Sequence, residues 1–413
     1  MARILQVCNT DFYLTRFLAP LVRSLIARGH EVECVCEGYQ ADFSLLGDGV
    51  LVHQVRFPRH SSLLEFGRAI RAVRTIIRER AFACVNSHNR NASIVGRIAA
   101  WRERVPVNLY TAHGFYFHDA QPVPLRGCTI ALEAALAQIT DFTLSQSRED
   151  SELATKLGFI KPAEILNIGN GIDTTRFSPR FERTEVEAEL GLQPWRFRVA
   201  ALGRIVRGKG FTDLLRAFHP FHDAHPEAEL MIIGGNIDQD ISPFQDEFLR
   251  EVSERNLTGA VQITGLTNVV ERYLACCDVF VLPSYREGMP RALLEAMSME
   301  LPSIATRIRG CKEIVVPGVT GYLYPAHDVQ RLSALLEVVF DARGASSAAF
   351  GKAARQRVME LYSEEAYVAR QVSAIERLCS NSTSTVRHSS SARELDAPQG
   401  AGHKRAPINA GEF

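Results

Sequence analysis

Short β-rich apolar runs alternate with helix-patterned stretches along this chain, and the alternation runs through twice. In the first half the predicted strands are 4–8, 31–36, 50–57, 83–87, 105–111, 142–145 and 164–168. Between the first two, Phe17, Leu18, Leu21, Leu25 and Ile26 repeat with a helical period over 13–28, and Gly29 suits the C-cap. After a polar stretch, 174–194, the pattern restarts with strands at 197–202, 229–233, 261–264, 279–282 and 303–306. Strand–helix–strand repetition implies parallel sheets with helices on both faces. The expected class is α/β, with two Rossmann-like doubly wound domains facing each other across a cleft. Such domains place ligands at the carboxyl ends of their strands.

The expected boundaries are 1–178 for the first domain, 179–195 for a linker and 196–355 for the second domain. A helical region follows at 356–379. The tail 380–413 is rich in Ser, Ala and Gly without apolar periodicity, which predicts disorder.

Lys plus Arg and Asp plus Glu both number 47, so net charge excludes little. Its distribution says more. Residues 51–110 hold eleven Arg against three Glu. This is either a solvated basic face or a surface for anionic lipid or an anionic acceptor. No nucleic-acid-binding motif accompanies it, so nucleic acid is not an expected partner. The nine Cys lack metal-ligand spacing, and Cys34/Cys36 and Cys276/Cys277 read as buried free thiols, which fits a reducing compartment. The chain opens on a strand and has no run of 18 apolar residues. A cytoplasmic protein, soluble or at the inner membrane face, is expected.

Three segments carry chemistry. In Ser284-Tyr-Arg-Glu287-Gly-Met-Pro-Arg-Ala-Leu-Leu-Glu295, a strand ends, a loop follows and a helix begins near Pro290. Glu287 and Glu295 suit hydroxyl donors, and the helix start with Gly288 and Met289 suits an anion. In Gly203-Arg204-Ile-Val-Arg207-Gly208-Lys209-Gly210, Arg204 and Lys209 can neutralise a diphosphate, although the order is not that of a Walker A loop. In Tyr110-Thr-Ala-His113-Gly-Phe-Tyr-Phe-His118-Asp119, His113 stands at a strand's carboxyl edge. Each has an ordinary reading too: a solvent-facing Glu pair, a basic turn, a turn histidine. Asp238-Gln-Asp240 matches an Asp-x-Asp metal pattern but reads as loop charge, so no metal or cofactor is expected.

Taken together, these segments resemble the family-four retaining glycosyltransferases of the GT-B fold over about residues 2–378. Asn170-Gly171-Ile172-Asp173, Asp278, Arg309-Gly310-Cys311-Lys312-Glu313 and Gly318-Val-Thr-Gly321 add to the likeness. Its closest match is the bacterial branch making capsule, exopolysaccharide and lipid-linked glycans. The resemblance implies a hexosyltransferase-type enzyme using a nucleotide-sugar donor, UDP in preference to GDP, and a polyprenyl-diphosphate-linked or other glycan acceptor. The first domain would then serve the acceptor and the second the donor. Arg204 and Lys209 would hold the diphosphate, with amides at Gly288 and Met289. Glu295 would bind the ribose, Glu287 the transferred sugar, and His113 would reach it from the first domain. One departure is Asn9-Thr10-Asp11 where many relatives carry a Gly-Gly loop.

Two rivals remain: a sugar-nucleotide epimerase of similar architecture and an inactive scaffold homologue. A dinucleotide-dependent dehydrogenase is disfavoured, because no Gly-x-Gly-x-x-Gly follows Cys8.

Overall fold

The computed structural model describes residues 1–38, 40–58, 62–117, 121–235 and 243–391. Arg59, His118, Asp119, Asp238, Asp240 and the tail from 392 onward lie outside them.

The doubled alternation folds as two parallel sheets. The first contains β1 (Arg3–Thr10), β2 (Glu31–Glu37), β3 (Leu51–Gln54), β4 (Cys84–His88), β5 (Val107–Ala112), β6 (Phe142–Ser145) and β7 (Ile165–Asn167). Their spatial order is β3-β2-β1-β4-β5-β6-β7. The second contains β8 (Phe197–Leu202), β9 (Ala228–Ile233), β10 (Val261–Ile263), β11 (Val279–Leu282), β12 (Ser303–Thr306) and β13 (Tyr322–Tyr324), in the order β10-β9-β8-β11-β12-β13. β13 goes beyond the sequence expectation. The strand order reverses between β1 and β4 and between β8 and β11, the positions where open parallel sheets form ligand crevices.

Both faces of each sheet are covered, so alternate side chains enter different cores. Val199, Ala201, Val279 and Val281 join one cluster, and Ala200, Phe280 and Leu282 join another. In the first sheet Ile4 and Cys8 face one side and Leu5 and Val7 the other. Cys34 and Cys36 are buried free thiols, and burial pushes the Cys36 thiol up to about 12.

Three local expectations are corrected. The helix expected over 13–28 is interrupted by a π-helical turn, Leu14–Leu18, before Ala19–Ala27. Pro20 has no N–H to give the carbonyl four residues back, which disfavours a regular α turn there. The stretch 179–195 is no bare linker. It holds the helix Arg183–Leu190, whose Val186 is buried in the second domain's core. The last helix, Glu364–Ser391, runs past residue 380, where the composition change led us to expect the ordered chain to end.

The chain crosses between domains twice, side by side. Ile172 bridges Ser363, with Ile172 N donating to Tyr362 O at 3.0 Å and Glu364 N to Ile172 O at 2.9 Å. A Cβ at Gly171 would lie 2.6 Å from Tyr367 Cβ. Glycine in the 170–173 motif therefore lets the two crossings touch. Helix Glu364–Ser391 then returns to the first domain, placing Tyr367, Val372 and Ile375 in its core.

Candidate active site

β8 and β11 are neighbours at the strand-order reversal, so the loops leaving their carboxyl ends lie side by side. After β8 the chain bends at Gly203 (φ +144°) and passes through exposed Arg204 into the turn Arg207–Lys209. Gly210 (φ +67°) closes the turn, and a Cβ there would lie 2.1 Å from Pro283 O. Glycine thus brings the β8 loop against the β11 loop. Lys209 folds over Gly203, and its Nζ donates to Glu287 Oε1 at 2.6 Å.

The helix Arg291–Ser298 follows the β11 loop. Pro290 is its N-cap, one position before the first turn expected for it, and supplies no side-chain cap. The first-turn N–H groups therefore remain for a ligand or water. Met289 contributes backbone rather than side chain: its side chain is buried in the core, and its carbonyl accepts from Asn170 Nδ2 at 3.0 Å. Glu295 lies further along the helix. Burial pushes its carboxyl up, opposed by the charges of Arg291, Arg176 and Arg16. Glu287 therefore meets Lys209, whereas Glu295 meets a cluster of arginines. Arg16 and Arg176 escaped the sequence reading because they lie outside every motif.

His113 faces these loops from the end of β5. Its Nε2 lies 2.7 Å from the Tyr13 hydroxyl and 3.1 Å from His88 Nδ1. His88 Nε2 lies 2.9 Å from Gln6 Oε1. A carbonyl oxygen only accepts, so His88 Nε2 carries the proton toward Gln6. Burial, aided by Arg291, pushes His113 down to about 4 against a hydrogen bond with Gln146. Burial and the neighbouring His113 also hold His88 well below its ordinary range. The imidazole facing the cleft is thus neutral near pH 7 and offers hydrogen-bonding nitrogens rather than a positive charge. Tyr13, His88 and Gln6 were not expected as members of the site.

Glycines set the closest approach of the domains. A Cβ at Gly288 would lie 2.3 Å from His113 O, and one at Gly114 would lie 2.9 Å from Gly288 Cα. His113, Glu287 and Gly288 line a cavity of about 390 Å³ between the domains. On one flank, Arg309 Nη1 pairs with Asp150 Oδ1 at 2.7 Å and Lys312 Nζ with Glu149 Oε1 at 2.7 Å. Glu313 accepts from Ser147 Oγ and from the backbone N–H groups of Arg148 and Glu149. A carboxylate of the second domain thereby caps a helix of the first, Arg148–Lys156. The 309–313 motif is legible in sequence, but its partners are not.

Among the described residues, no helix is long and apolar enough to cross a membrane.

Comparison with known proteins gives these residues a common context. The family described as Glycosyl transferases group 1 matches residues 182–357, and Glycosyltransferase Family 4 matches residues 14–176. Escherichia coli UDP-Gal:alpha-D-GlcNAc-diphosphoundecaprenol alpha-1,3-galactosyltransferase is 28% identical over 288 residues, covering 68% of this chain and 73% of its own. Alpha-maltose-1-phosphate synthase of Mycobacterium tuberculosis is 31% identical over 314 residues, covering 72% and 79%. Among solved structures, Anabaena HepE in complex with UDP-glucose superposes with a TM-score of 0.74 at 18% identity, covering 93% of this chain and 100% of that one.

Proposed function

The chain belongs to the family 4, group 1 glycosyltransferases, and from that premise we propose that it transfers a sugar, with retention, from a UDP donor to a polyprenyl-diphosphate-linked glycan. It is a glycosyltransferase of GT-B fold. The finer reading concerns donor, acceptor and residue roles. The Lys209–Glu287 pair, whose Glu287 shares one interdomain cavity with His113, is the observation that carries it.

Donor binding changes the partners of that pair. Arg204 and Lys209 hold the diphosphate, with N–H groups at the start of helix Arg291–Ser298. Lys209 turning toward phosphate leaves Glu287 to accept from hydroxyls of the transferred sugar. Glu295 accepts from the ribose, and neutral His113 hydrogen-bonds the sugar from the first domain. Of the carboxylates lining the cavity, Asp150 is committed to Arg309, and Glu287 is engaged by the sugar hydroxyls once the donor is bound. That favours front-face displacement over a covalent glycosyl-enzyme. The anomeric C–O bond to diphosphate breaks as the acceptor oxygen bonds on the same face, and the acceptor proton passes to the departing phosphate oxygen. Fixed cations stabilise the charge on the leaving group, so no metal is required.

The acceptor brings the enzyme to the inner face of a membrane. The helix Leu63–Arg80 supports such docking, since Leu63 and Leu64 are 87% and 75% exposed beside Arg68 and Arg71. The direct test is turnover of UDP-sugars with an undecaprenyl-diphosphate-linked sugar, with NMR reading the new anomeric linkage. Expected is acceptor-dependent UDP release with an α product from an α donor. A β product would overturn retention, and acceptor-independent epimerisation would overturn transfer.

A further inference from the structure

The interdomain cavity lined by His113 and Glu287 is a basin, and the roles above leave its basic wall without a ligand. Four cations line it, Arg286, Arg307, Arg309 and Lys312, against the carboxylates Asp150 and Glu287. Asp150 is answered by Arg309, Glu287 by Lys209 from outside the basin, and Lys312 by Glu149. Among the described residues, Arg286 and Arg307 meet no carboxylate, and both are exposed to the basin's solvent. Arg309 Nη2 is buried without a hydrogen-bond partner, although Nη1 of the same guanidinium is satisfied. A buried orphan donor on a cation is costly unless an acceptor arrives.

The walls suit a sugar. Arg286 lies over the Tyr116 ring, 5.4 Å from its centroid, so its guanidinium is held across the domain boundary. Tyr285 packs against His327 with centroids 4.1 Å apart and the rings tilted by 34°. His327 holds a left-handed backbone (φ +68°), a conformation that non-glycine residues keep at a cost and that clusters at ligand sites. Aromatic walls with a few convergent charged donors are the usual makeup of a small-molecule site.

We propose that this basin is a subsite for an anionic group carried by a sugar, a carboxylate or a phosphate. Arg286 and Arg307 hold it from the open side, beside Arg309 in the wall. This rests on the reading that Glu287 and His113 hold the transferred sugar, because both line the same basin. The anion has two possible carriers: a uronate on the donor sugar, or a phosphate on the acceptor. Arginine forks suit both.

Calorimetric titration of the full chain, free and UDP-saturated, tests it with glucuronate, glucose 1-phosphate and neutral methyl α-glucoside. At least one anionic sugar should bind about 10-fold more tightly than the glucoside, the scale of one charge-assisted hydrogen bond. In R286Q/R307Q, both exposed positions, that preference should largely disappear while UDP affinity holds, and R286K/R307K should restore part of it. A second arm compares UDP-glucuronate with UDP-glucose. Preference for UDP-glucuronate that the double variant loses places the anion on the donor. Preference confined to glucose 1-phosphate places it on the acceptor. No anion preference in the wild type, or one that survives R286Q/R307Q, overturns the subsite. Binding of an anionic sugar without any binding of UDP would instead overturn the donor reading of Lys209 and leave the basin standing.

Discussion

Lys209 and Glu287 stand 78 positions apart in sequence, yet the Lys209 Nζ lies 2.6 Å from Glu287 Oε1 because β8 and β11 are adjacent strands. The pair joins the loop proposed to hold phosphate to the loop proposed to hold sugar. Each charge holds the other in place.

Lys209→Ala and Glu287→Ala should each lower kcat/KM at least about 100-fold, since one charge-stabilising group typically contributes about 3 kcal/mol to the barrier. The double variant should lose far less than the product of the two, because the residues act as a unit. Melting temperature should change little, as a partly exposed ion pair contributes under about 1 kcal/mol to folding. Near-normal turnover in both single variants would remove them from the site.

Protonation of His113 gives a second test. Its folded-state value is pushed down from 6.5 to about 4 by burial. The unfolded chain therefore binds the proton first as pH falls. The stability tied to neutral His113 is present in full above 6.5 and is lost progressively as pH falls toward 4. His88, also held low by burial, adds in the same direction. Thermal unfolding followed from pH 7.5 to 4 should show this decline, and His113→Gln should flatten it. Turnover limited by His113 should hold level well below pH 6.5. An acid limb centred at an ordinary histidine value would show His113 to be solvated and free of the Tyr13–His88 network.

The fold and the chemical motifs were legible, but their partners were not, and the difference is one of range. Strand runs, Gly203 to Gly210 and Glu287 to Glu295 are local patterns that the backbone imposes within a dozen residues. The role of His88 depends on β1, β4 and β5 lying side by side, which brings Gln6, His88 and His113 together. In isolation His88 is only the polar end of a buried strand. The Arg-rich stretch shows the opposite error. Arg97 is buried against Glu133, and Arg80 meets Glu33, both acids outside 51–110. Arg74 and Arg78 share Glu103. A local count treated these arginines as surface charge, whereas tertiary pairing neutralises them.

The buried ion network at the other end of the second sheet should matter for stability alone. Arg198 is fully buried at the start of β8, paired with Glu187 Oε1 at 2.5 Å and Glu229 Oε2 at 3.0 Å. Arg198→Met leaves Glu187 buried without that partner, and breaking such a pair costs about 3–5 kcal/mol. Urea denaturation should show a loss on that scale. Activity per folded molecule should hold, since the proposed site lies at the strands' carboxyl ends. If activity falls while stability does not, the network reaches the site by a route the geometry does not show.

Membrane docking is the last prediction, and the structure narrows which residues to change. Arg56, Arg68, Arg71 and Arg104 are exposed and meet no carboxylate among the described residues, whereas Arg74 and Arg78 serve Glu103. Arg68 and Arg71 stand on the helix that begins with exposed Leu63 and Leu64. An apolar tip beside basic side chains is the pairing that lets a protein rest on an anionic bilayer. Each basic residue near such a surface contributes about 1 kcal/mol. Two arginines alone therefore bind weakly, and the leucines are needed to hold the enzyme there. Flotation with vesicles containing anionic lipid should recover wild type at low salt and less of it in 1 M salt, where screening shortens to about 3 Å. Arg68→Ser with Arg71→Ser should weaken recovery at low salt, and Leu63→Ser with Leu64→Ser should remove the part that salt leaves. Arg74→Ser with Arg78→Ser should have the smaller effect, because those charges are already answered. Equal flotation of all variants, or none of wild type at low salt, would make this face solvated surface and point to a soluble acceptor.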